Sequence, residues 1–184
     1  MPWGLFFVAV LSVIICFRRY PAGRLPVNRT LLLCLILALL ILTYVDIPVG
    51  EKYLNLGGVF LLGCGITAGA VLYPAHAGRW GAAALIIAML LFAEKSGLLW
   101  QLMQYLPTWL SPSLLLAMPL AACGGGWGEA LIAAAIGTEA SGLALLIFAG
   151  SEMGLSGIDA FGKIAAGAWA LIWFVRLFRR HTVD

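Results

Sequence analysis

ALIAAAIGTEASGLALLIFA, residues 130–149, is a run of 20 residues with one charged side chain, Glu139, near its middle. It has no alternation of apolar and polar positions, so a half-exposed strand is excluded and a buried or membrane-crossing helix is favoured. About 20 such residues cross about 30 Å of hydrocarbon at 1.5 Å per residue. The same character extends over the chain, which is 63% hydrophobic and 10% charged across 184 residues, with a mean hydropathy of +1.04. Soluble domains carry roughly 25% charged residues. The expectation is an all-α, polytopic transmembrane helix bundle in a single domain, 1–184.

Seven spans are read outward from that stretch: Pro2 to Phe17, Thr30 to Val49, Tyr53 to Ala75, Trp80 to about Leu102, Ser113 to about Cys123, Ala130 to Ala149, and Ala160 to Phe178. The fifth is short, interrupted by Pro119, and open to a re-entrant reading. Trp100, Tyr105 and Trp109 read as an interfacial aromatic belt. Threading the spans alternately places Arg18, Arg19, Arg24, Arg29, Arg79, Arg176, Arg179 and Arg180 on one face. Positive charge resists translocation, so that face is the cytoplasm, with the N-terminus outside and the C-terminus inside. The apolar start has no preceding basic region and no small-residue cleavage site, and it reads as a first span.

The net charge of +3 belongs to this arginine asymmetry beside anionic lipid, so the bilayer is the expected partner. No solvated basic stripe for nucleic acid is present. Cys16, Cys34, Cys64 and Cys123 lie inside apolar runs without metal-ligand spacing, and read as small buried hydrophobes. No HExxH, GxSxG or phosphate-binding loop occurs, and Gly124–Gly126 followed by Trp127-Gly-Glu129 reads as a cytoplasmic turn or hinge. The chain is read as a non-enzyme that needs no cofactor or metal.

Glu94-Lys-Ser96-Gly97-Leu98 recurs 45 residues later as Glu139-Ala-Ser141-Gly142-Leu143, together with Pro74/Pro119 and Gly81/Gly126. A duplication of 57–101 as 102–146 would place two carboxylates in corresponding positions, although glycine- and alanine-rich sequence also aligns with itself readily. An ionised carboxylate at the bilayer centre costs on the order of 3 kcal/mol. Glu139 and Glu94, with hydroxyls from Ser141 and Ser96, are therefore candidates for a proton or ion path or for a packing site. Gly65-Ile-Thr-Ala-Gly69 is a GxxxG-type helix contact face. His76 and His181 fall at the cytoplasmic edge. Asp46, Asn55, Asp159 and Lys163 form a candidate outer-face polar group, with Asp159 and Lys163 spaced for an i,i+4 ion pair.

The layout resembles the YphA-like family of membrane proteins from endospore-forming Firmicutes. The resemblance rests on an aromatic first span ending in Arg18-Arg19, Asp46 closing span two, and Leu54-Asn55 opening span three. It rests also on the aromatic stretch Leu98–Leu110 and on Gly137-Thr-Glu139 in span six. More Gly and Ala and less Lys mark a departure from that pattern. The resemblance implies a multi-pass protein of the bacterial plasma membrane and carries over no activity. Three functional readings follow: a structural or partner-binding membrane protein, alone, as a homo-oligomer or with other membrane proteins; a small proton- or cation-conducting protein or solute transporter using Glu139 and Glu94; and a substrate-binding membrane subunit of a multi-component transporter.

Overall fold

A computed structural model describes residues 29–50, 52–97, 105, 127–148, 160–162 and 164–165. The described fold comprises helix α1 (Arg29–Leu42), strands β1 (Asp46–Val49) and β2 (Lys52–Asn55), and helices α2 (Leu56–Leu72), α3 (Ala77–Lys95) and α4 (Trp127–Phe148). Among the described residues, two apolar segments are long enough to cross a membrane, Pro74–Lys95 and Gly128–Phe148. The expected first, fifth and seventh spans lie outside the described residues or only touch them.

The second expected span stops early. Thr43 turns its hydroxyl back onto the Leu39 carbonyl (2.7 Å), occupying an acceptor of the last turn. Asp46-Ile-Pro-Val then pairs antiparallel with Lys52-Tyr-Leu-Asn, Asp46 facing Asn55 and Val49 facing Lys52. Pro48 has no N–H to continue a helix, yet it is tolerated in a strand of a two-stranded hairpin, where every strand is an edge. Gly50, at φ +65°, opens the turn. The described residues are mostly helical, as expected, with one local difference: Asp46–Val49 and Lys52–Asn55, expected as helix ends joined by a short turn, form a small two-stranded sheet instead.

Asn55 starts α2 as its N-cap, its Oδ1 accepting from Gly58 N at 3.2 Å. Gly57, Leu61, Gly65 and Gly69 are buried and recur every fourth residue, so they form one face. That face carries the expected GxxxG contact: Gly65 lies against Ile136 and Gly69 against the Trp80 ring. A single 3₁₀ turn, Pro74–His76, then reverses the chain into α3. Helix α3 ends at Lys95, where Gly97 at φ +81° donates to the Glu94 carbonyl. It is thus shorter than the expected span to Leu102.

Helix α4 starts at Trp127, so Trp127-Gly-Glu129 is its first turn and not the expected loop. Its 22 residues extend about 33 Å. The strongest packing joins α3 to α4 through Ala83, Ala84, Ile87 and Leu91 against Ala130, Ala133 and Ala134. Contacts of His76 with Glu129 and of Ile87 with Gly137 advance together, so these helices run parallel. Helix α2 runs antiparallel to both. Large aliphatic side chains such as Leu37, Ile41, Val71, Leu85 and Met89 point outward, whereas Asn55, Thr138, Glu139 and Ser141 are enclosed.

Candidate functional site

Helix α4 carries four of the buried polar residues among those described, Glu129, Thr138, Glu139 and Ser141. Glu139, ten residues from Glu129 and hence about 15 Å further along the axis, is only 1% exposed. Small side chains make the enclosure possible. Gly137 sits so close to α3 that a Cβ there would meet the Ala84 carbonyl and Ile87 at 2.7 Å.

Thr138 and Ser141 are enclosed beside Glu139, but their hydroxyl protons are directed elsewhere. Thr138 donates to the Ala134 carbonyl (2.8 Å), and Ser141 to the Thr138 carbonyl (2.7 Å). Among the described residues, Oε1 of Glu139 is buried with no hydrogen-bond partner. The positive charge of Lys95, at the end of α3, is within electrostatic reach of the Glu139 carboxyl. A buried carboxylate oxygen without a donor is expensive, so this position suits a group that holds a proton or a small cation. Among the described residues no three His, Cys, Asp or Glu side chains converge for a metal ion.

The two halves of the apparent repeat differ. Glu139 and Ser141 are buried on α4, whereas Glu94 and Ser96 are exposed at the end of α3, where Ser96 bonds back to the Ala93 carbonyl. The structure therefore does not bring Glu94 and Ser96 into the enclosure around Glu139. Most of the first helix expected in the second repeat lies outside the described residues.

The hairpin gathers another part of the expected polar set. Asn55 Nδ2 donates to the Thr43 carbonyl and to Asp46 Oδ1, each at 2.8 Å, while its Oδ1 caps α2. Asn55 is fully buried and thus a fold-determining group, with Asp46 exposed beside it. Asp159 and Lys163 lie outside the described residues.

Two contacts were not foreseen from the sequence. Lys52 Nζ donates to the Leu146 carbonyl (2.6 Å), tying the hairpin to the outer part of α4. At the other end, His76 Nδ1 lies 2.7 Å from Glu129 Oε1. Glu129 is buried, and its Oε2 has no partner among the described residues. Tyr73 closes over this end, its ring against Gly128, and Trp80 Nε1 donates to the Tyr73 carbonyl. Burial, and next the charge of Glu129, push the Tyr73 phenol up from its ordinary value.

Comparison with known protein families, curated proteins and solved structures finds no match.

Proposed function

We propose that the chain is a multi-pass protein of the bacterial plasma membrane that moves protons or a small cation, with Glu139 as the exchanging group. The observation that carries this reading is the enclosed Oε1 of Glu139, which faces no donor among the described residues although two hydroxyls lie beside it. Ionisable groups at such depth are costly and mark ion or proton paths in membrane helices. Placement in the membrane is supported by the two helices of crossing length and by the outward aliphatic faces. The arginine asymmetry supports about seven spans with the N-terminus outside. In that orientation the hairpin is at the outer end and His76 at the cytoplasmic end. The YphA-like resemblance agrees with this placement and adds no activity.

A structural or partner-binding bundle is the second reading. It is favoured by the close approaches at Gly57, Gly65, Gly69 and Gly137, which leave little free space between the helices. In that case Glu139 would lock packing and its protonation would not exchange.

Carbodiimide modification separates the two. Dicyclohexylcarbodiimide attacks protonated carboxyls in apolar surroundings, and mass spectrometry locates the adduct in reconstituted protein. The proposal expects labelling at Glu139 that slows as pH rises. Equal labelling at all pH values, or a Glu139 that never reacts while exposed Glu94 does, supports a locked packing group.

A further inference from the structure

We infer that His76 and Glu129 form the proton-uptake site that loads Glu139, an assignment that rests on the reading of Glu139 as the exchanging group. The His76 side chain is 44% exposed, the Glu129 side chain 5%, and 2.7 Å separates Nδ1 from Oε1. One partner therefore meets solvent and the other is enclosed. That distance is within the range for direct proton transfer. The second oxygen of Glu129, Oε2, is buried with no partner among the described residues. A merely structural ion pair would leave no reason to enclose an unsatisfied carboxylate oxygen beyond it.

The chemistry at the pair balances without any further reactant. An ionised carboxylate can only accept, so Nδ1 carries the proton of the hydrogen bond and Nε2 is the basic nitrogen. A proton from water adds to Nε2, and the Nδ1 proton passes to Oε1. Histidine is left neutral in its other tautomer and Glu129 is left as the acid. Histidine is suited to this step because its charge changes within the physiological pH range.

Glu129 and Glu139 lie on the same helix, about 15 Å apart along its axis. The intervening turns hold the buried small residues Ala130, Ala133, Ala134, Ala135 and Gly137, together with buried Ile132 and Thr138 and half-buried Leu131 and Ile136. The other groups at this end are few among the described residues. Tyr73 faces the pair from the end of α2, its ring against Gly128. Arg79 follows His76 by one turn of α3 and is exposed, and Arg29 begins α1.

Infrared spectroscopy of the full chain in lipid vesicles, after a rapid pH drop, tests the assignment. Glu129→Gln and Glu139→Gln identify the two carboxylic-acid bands. His76→Gln keeps a donor to Glu129, so it preserves the contact while removing the titrating group. His76→Phe removes both, and comparing the melting temperatures of the two variants separates anchoring from proton transfer. The Glu139 band should rise with the Glu129 band in the wild type. In His76→Gln it should reach the same final amplitude about 100-fold more slowly, at the lower end of what a positioned acid–base group contributes. A wild-type rate in His76→Gln, or in Glu129→Gln, overturns the uptake site while leaving Glu139-dependent flux intact. A Glu139 band that never responds to pH in the wild type overturns the underlying reading as well. A His76-dependent band with flux unchanged by Glu139→Gln upholds the uptake site and rejects transport through Glu139.

Discussion

Gly137→Ala probes the contact between α3 and α4 that encloses Glu139. The added Cβ would lie 2.7 Å from the Ala84 carbonyl oxygen and 2.7 Å from Ile87 Cβ, where ordinary contact begins near 3.4 Å. Neither neighbour is the end of a flexible chain, so the helices must part by about 0.7 Å. Overpacking of this kind costs about 1–3 kcal/mol. Replacing a helical glycine by alanine returns about 1 kcal/mol of helix propensity, leaving a net loss of about 0–2 kcal/mol and a difference of about 1–3 kcal/mol from a site where only the propensity changes. Gly63→Ala is the matched control, because a Cβ there meets nothing within 4 Å and only the propensity gain remains. Reversible unfolding in mixed micelles, followed by tryptophan fluorescence, reads both. Equal stability of the two variants would refute the close parallel packing of α3 on α4 and, with it, the enclosure of Glu139.

Asn55→Ala should destabilise by about 2 kcal/mol, since the Thr43 carbonyl and Gly58 N–H lose their partner in a buried setting; the same unfolding assay checks it. Lys52→Met should cost about 1 kcal/mol by removing the cap on the Leu146 carbonyl, and hydrogen exchange should accelerate in the last turn of α4. Glu139→Gln should cost at most about 1 kcal/mol, because Oε1 has no hydrogen-bond partner among the described residues and only the charge interaction with exposed Lys95 is lost; thermal melts in detergent measure it. For Tyr73 the folded pKa is raised, so the stability tied to its neutral phenol is complete below the unfolded value of about 10. That stability is lost as pH rises through the folded value. Alkaline unfolding should therefore begin at lower pH in the wild type than in Tyr73→Phe.

The helices were legible where composition alone decides. Ala130–Ala149 has no breaker and no alternation, and the observed Trp127–Phe148 differs from it by three residues at one end and one at the other. The hairpin was not legible, because Ile47, Val49 and Tyr53 continue the apolar run and read as helix ends. The boundary is set locally: Pro48 offers no donor, and Asn55 bonds the Thr43 carbonyl while capping the next helix. Glu139 was visible as a charge in an apolar run. Its separation from Glu94 was not, because the repeat implied like environments while Gly97 ends α3 three residues after Glu94. The His76–Glu129 contact spans 53 residues of sequence and exists only because α3 and α4 run parallel. Asn55, followed by Leu-Gly-Gly, did carry a capping signal, and Glu129 beside Trp127 was the mark that could have placed a helix start there.

Proton flux into vesicles holding the purified chain, under an imposed pH gradient, tests the role of Glu139 most directly. The account predicts flux well above that of empty vesicles, abolished by Glu139→Gln in protein that melts like the wild type. Flux that survives Glu139→Gln, or none above empty vesicles for protons and for small monovalent cations alike, would contradict it.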